Sequence, residues 1–192
     1  MTEASLARGT AALDEAFADD IATQIRAFLL SLREIARDGD PAIGVPLLLL
    51  EVSQLMLAGG RLGAIDDVVP NERFEPDAGV EPELDELRDR LATMLAGLDE
   101  YIEVFDPYAP SPEFVTMRMS DDLADVASNL QHGLAHYVAG RKDEALFWWQ
   151  FGYLSSWGAE AGAVLRALHS IAAHSRFDSD RPDPNEADAA KL

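Results

Sequence analysis

The amino-acid sequence predicts an all-α protein: a five- or six-helix antiparallel bundle with one tetratricopeptide-like αα-hairpin and a disordered acidic C-terminal tail. Three observations lead there. Apolar residues recur at steps of three and four through most of the chain, no run alternates as a half-buried strand does, and Pro/Gly clusters cut the sequence into pieces of helical length. With 192 residues, 48% of them apolar and 26% charged, one domain can bury a sizeable core. That domain is expected over residues 1–175, with 176–192 as the tail.

Leu13, Phe17, Ile21, Ile25, Phe28, Leu32 and Ile35 share one face, marking a long amphipathic helix that ends before the DGDP break at Asp38 to Pro41. The next segment, GVPLLLLEVSQLMLAGG, places Pro46 near a helix start and Gly59 just past its end. At about 14 residues it is shorter than the roughly 20 that a membrane span needs. From Arg61 to Val80 the pattern gives way to an acidic loop broken by Pro70 and Pro76, and loops of that length are uncommon without a role. Pro82 opens a third helix on Leu84, Leu87, Leu91, Leu95, Leu98 and Ile102, ending near Phe105. After a second loop, Asp106 to Met119, Ser120 caps a fourth helix with Leu123, Val126, Leu130, Leu134 and Tyr137 on one face.

The stretch GLAHYVAGRKDEALFWW matches part of a tetratricopeptide unit at Gly133, Ala135, Tyr137, Gly140, Glu144, Ala145 and Trp149. The pattern does not recur one period of about 34 residues earlier, so a single hairpin is expected and not a solenoid. Its second helix carries Phe147, Trp148, Trp149, Phe151 and Tyr153, with Trp157 following. These rings point nearly all round the helix, whereas a ligand box would use one face; all six are therefore expected as core aromatics of a helix wrapped by its neighbours. A sixth helix uses Val164, Leu165, Leu168 and Ala172.

The 35 acidic residues against 15 basic ones give a net charge of −20, a field that repels phosphate backbones and anionic lipid headgroups. Neither direct nucleic-acid binding nor membrane association is expected. The absence of cysteine excludes disulfides, thiolate catalysis and cysteine-ligated metals. The N-terminus, MTEASLARGT, lacks the charged-then-apolar order of a secretion signal, and a cytoplasmic location is expected. No nucleophile elbow, P-loop or dinucleotide fingerprint occurs, so no catalytic residue is named and no cofactor is predicted.

Along the fourth helix, Asp121, Asp125, Ser128, His132 and His136 share the face opposite the leucines. His132 and His136 are four apart, the spacing that lets two imidazoles of one helix reach one metal ion, and Asp121, Asp125, His132 and His136 are the candidate ligands. A solvated polar face is the competing reading. A His-pair site wants a third protein ligand, and neither HExxH nor paired ExxH motifs occur. Arg61, in an AGGRLGA stretch that reads as a glycine-rich helix end, and Arg118, in the second loop, each offer a forked donor set to a partner carboxylate or an anion. His169 and His174 are five apart and read as surface or helix-end positions.

Taken in order, LAGGRLGA, DEYIEVFDPY with its following prolines, SDDLADVASNLQHGLAHY and EALFWWQFGYLSSWG resemble a bacterial, mainly actinobacterial, family defined as domain of unknown function 5063, over about Phe17 to His169. The resemblance implies an all-helical domain and supplies no catalytic residues. The expected function is that of a non-enzymatic interaction module, an acidic bundle whose loops and exposed arginines contact an unknown protein partner. One alternative is a metal-dependent or small-molecule-binding enzyme using the Asp/His face of the fourth helix. Another is an acidic DNA mimic, its carboxylates copying a phosphate array. Oligomeric state is left open.

Overall fold

The computed structural model describes residues 3–70, 72–79, 83–104 and 108–179, with side chains described between 15 and 176. Among these residues six helices and one hairpin follow in order: α1 (Glu3–Asp38), α2 (Pro41–Gly63), α3 (Asp85–Met94), β1 (Glu100–Val104), β2 (Phe114–Arg118), α4 (Met119–Val138), α5 (Lys142–Ser155) and α6 (Trp157–Ser179). The protein is an all-α bundle in which α4 packs on α5, α6 and α3, while α2 packs on α1, α5 and α6.

The periodic face of α1 is the buried one: Ile21, Ile25, Phe28, Leu32 and Ile35 all lie in the core. The DGDP break works residue by residue. Gly39 takes the left-handed conformation (φ 70°) that ends α1, the Asp40 carboxylate accepts from Ala42 N–H at 2.9 Å, and Pro41 occupies the first turn of α2.

Helix α2 corrects two expectations. It begins at Pro41 and runs through Gly63, so it has 23 residues and Pro46 lies inside it. It is long and apolar enough to cross a membrane by length and composition. Val45, Leu48, Val52, Leu55, Ala58 and Leu62 are buried against the rest of the protein, while Ile43, Leu47, Leu50 and Leu57 are exposed. Gly59 does not end the helix, which runs one turn further to Gly63, the last glycine of AGGRLGA. A Cβ on Gly59 would lie 2.4 Å from the Tyr153 ring and one on Gly63 2.9 Å from it, so the missing side chains are what let α5 approach.

The expected third helix is also corrected. Its leucine period holds through Leu87, Leu91, Met94 and Leu95, and then Gly97 turns left-handed (φ 83°). Leu98 and Ile102, which continue the period in sequence, are exposed, and the chain becomes β1. Strand β2 pairs antiparallel with it, Glu100 opposite Arg118 and Val104 opposite Phe114. The second predicted loop therefore contains a strand, one whose Val115 and Met117 face inward between exposed Phe114, Thr116 and Arg118.

Ser120 is not the cap of α4. It lies inside the helix, fully buried, and the acceptor comes from the turn before β1: Asp99 takes the Ser120 N–H and hydroxyl, each at 2.8 Å. The αα-hairpin α4–α5 turns at Gly140 (φ 80°) and closes on Gly133, where a Cβ would stand 2.3 Å from the Trp149 indole nitrogen. Trp149 donates instead to Leu130 C=O (3.1 Å), and Trp157 donates to Trp149 C=O (3.1 Å), so both fully buried indoles are satisfied.

The expectation of six core aromatics holds for Trp149 and Trp157, which are fully buried, and for Tyr153, which is half-buried and packs against the core. It does not hold for the other three: Phe151 is 52% exposed, and Phe147 and Trp148 are half-buried outside the core cluster. Helix α6 continues past Arg176 to Ser179; the remainder of the predicted tail, 180–192, lies outside the described residues.

Candidate metal centre

Helix α4 presents Gly133 to α5 and turns His132 and His136 toward the long loop between α2 and α3. That loop is held at two points. Near its start the Gln150 amide donates to Leu62 and Asp66 carbonyls (3.0 and 3.1 Å) and accepts from Val68 N–H (2.7 Å). Near its end Arg141 Nη2 donates to Asp77 C=O at 2.8 Å, while Asp77 accepts from the backbone of Gly79 at 2.8 Å. Between these anchors Glu75 is brought over the two histidines.

Glu75 Oε1 lies 2.7 Å from His132 Nε2 and 3.1 Å from His136 Nε2, and the three donor atoms all fall within 4.8 Å of one another. An ion with bonds of about 2.0–2.2 Å holds tetrahedral ligands about 3.4 Å apart, so forming a first coordination sphere asks the two carboxylate–imidazole separations to open by roughly 0.7 and 0.3 Å and the two imidazoles, no more than 4.8 Å apart, to settle at the same spacing. The His132 contact is too oblique for a hydrogen bond, and its buried Nε2 has no hydrogen-bond partner among the described residues. His136 is wholly buried and is oriented from behind, where Arg141 Nε approaches its Nδ1 at 3.3 Å. His132 packs edge-on against the Trp148 ring, centroids 4.8 Å apart. Glu75, His132 and Trp148 line a groove of about 700 Å³ whose other walls include Leu134, Ala135 and Val138.

Of the residues expected on this face, His132 and His136 meet, and Asp121 and Asp125 do not join them. The two aspartates instead face Arg88 of α3, at 3.3 and 3.7 Å, in salt bridges that fasten α3 to the start of α4. The face is not uniformly solvated, since His136 is buried. The third member of the cluster is the Glu75 carboxylate, which sequence reasoning missed; the only signal for it was the length of its loop. Arg61 pairs with Asp20 at 2.5 Å and covers the Phe17 ring, and Arg118 pairs with Asp99 at 3.0 Å, so both arginines tie elements together. His169 and His174 are exposed.

A second cluster of ionisable groups lies at the other end of α4. The Tyr101 hydroxyl donates to Asp122 at 2.7 Å; burial raises the Asp122 pKa, and burial together with that carboxylate raises the Tyr101 pKa. Glu160 on α6 is pushed up to about 7, first by burial and then by Asp125 and Asp122. Its Oε2 is buried with no hydrogen-bond partner among the described residues. The donor atoms here do not converge as those of Glu75, His132 and His136 do.

The fold has a relative among solved structures. The crystal structure of protein BF1032 from Bacteroides fragilis, a structural-genomics target, superposes with a TM-score of 0.63 at 22% identity, over 79% of this chain and 89% of that one. At that identity the likeness concerns the fold. No curated protein matches the sequence. The model of the family described as domain of unknown function 5063 matches residues 13–174, and the chain belongs to that family.

Proposed function

We propose that the protein binds a divalent transition metal through Glu75, His132 and His136, and that this centre, opening on the groove beside Trp148, is where it acts. The observation that carries the reading is the convergence of one carboxylate oxygen and two imidazole Nε2 atoms within 4.8 Å. Two histidines and one carboxylate suit zinc or ferrous iron, and three protein ligands leave a position for water or a small molecule, as catalytic ions require and structural ones do not. In the metal-free protein the Nε2 proton of His136 faces Glu75; binding moves that proton to Nδ1 and turns Arg141 Nε away, since both cannot donate into the same space.

Metal analysis tests this directly. Protein loaded with zinc and desalted is expected to retain one equivalent, and the double variant His132→Ala, His136→Ala to retain none while keeping its helical circular dichroism. Equal retention by both proteins sinks the proposal.

One observation supports the interaction-module reading as well. Ile43, Leu47, Leu50 and Leu57 of α2 are 41–68% exposed and fall within one helical face, a stripe of the kind that marks a protein contact. On this reading the contact surface is α2, and not the loops and arginines expected from sequence. Light scattering of wild type and a Leu50→Glu, Leu57→Glu variant tests it: an unchanged mass together with unchanged solubility counts against a contact there.

A further inference from the structure

We propose that the groove beside the metal centre takes a small organic carboxylate, one oxygen on the metal and a second acceptor on the N–H groups of Trp148 and Gln131. The inference rests on the metal reading above and adds the class of ligand. Its starting point is an imbalance among the indoles. Trp149 and Trp157 each donate to a backbone carbonyl, whereas Trp148 Nε1 is equally buried and finds no acceptor among the described residues. Buried donors are paired in folded proteins, and an indole has a single N–H with no alternative use, so an orphan on a half-buried ring at a groove marks where an acceptor arrives once the ring turns its N–H outward.

Gln131 makes the same statement independently. Its Oε1 accepts from Arg33 at 3.1 Å, which fixes the amide orientation, and its Nε2 is then left buried without a partner. Both residues line the groove with Glu75 and His132. Charge selects the ligand. A divalent ion bound by one carboxylate and two neutral imidazoles leaves a single net positive charge in a protein whose overall charge is −20, so an anion is attracted only once the metal is present. Leu134, Ala135 and Val138 supply an apolar wall for the body of that anion.

The full chain loaded with cobalt(II), with benzoate as the probe, tests the inference by visible spectroscopy. Benzoate is expected to shift the cobalt ligand-field bands saturably, and to bind about tenfold more weakly in Trp148→Phe, which removes the indole N–H and keeps a ring against His132, and in Gln131→Leu, which removes the amide group; neither substitutes a metal ligand. Metal-free protein is expected not to bind it. Cobalt uptake with no benzoate response at millimolar concentration overturns the inference alone, as does equal benzoate affinity in wild type and both variants. Failure to take up cobalt at all overturns the metal reading and takes this inference with it. Circular dichroism verifies that each variant is folded, and either variant suffices if the other is not.

Discussion

Arg141 and His136 are locked together from behind the candidate centre: the guanidinium Nε donates toward Nδ1 across 3.3 Å while the same side chain holds the Glu75 loop through Asp77. This arrangement suits the metal-free imidazole and opposes the tautomer a metal requires. Arg141→Gln removes a competing donor and a positive charge from the neighbourhood of the ion. Zinc affinity is expected to rise by about tenfold, read by competition with a chromophoric chelator. A weaker site in this variant would mean that the loop anchor at Asp77 outweighs both effects.

Gln150 anchors the start of the loop with four backbone partners, the carbonyls of Leu62, Ile65 and Asp66 and the N–H of Val68, and the residue is buried. Gln150→Leu leaves those groups unpaired. The expected loss is about 2–3 kcal/mol in urea unfolding, accompanied by weaker zinc binding because Glu75 is no longer held over α4. Stability loss without any change in metal affinity would separate the anchor from the centre.

Gly133 is where α4 and α5 come closest, with the Trp149 indole occupying the space a Cβ would need. Gly133→Ala forces the ring or the helix to move and threatens the Trp149–Leu130 hydrogen bond. A destabilisation of about 2–3 kcal/mol is expected in thermal unfolding, despite the better helix propensity of alanine.

Glu160 gives the protein a pH dependence of definite sign. Its pKa rises from an ordinary 4.5 to about 7 in the folded state, so between these values the native protein holds more protons than the unfolded chain. Stability from this group is complete below pH 4.5 and falls as pH rises toward 7. Glu160→Gln is expected to flatten that fall by about 1–2 kcal/mol, a figure reduced for the solvent screening of a half-buried group. Parallel pH profiles for the two proteins would refute the assignment.

The helices were legible wherever a single face met the core, as in α1 and α4, because burial there follows the period of the helix itself. The sequence misleads where two devices share a pattern. Leu98 and Ile102 continue the leucine step of α3, yet Gly97 has already turned the chain, and nothing in the spacing distinguishes a helix from a turn followed by a strand. Gly59 reads as a helix end because close packing and capping both favour glycine; only the Tyr153 ring against it decides. At the centre, the His132/His136 pair was visible as a one-turn spacing. Glu75 was not, since its position depends on Gln150 and Arg141, more than sixty residues away along the chain.

That dependence has a mechanical meaning. Glu75 and His136 are 61 residues apart, and an ion shared between them is a reversible cross-link closing a long loop in a chain that has no cysteine to form one. Metal supply would then set how firmly the segment between α2 and α3 is fastened to the bundle, and amide exchange from Val68 to Gly79 would slow as the ion enters.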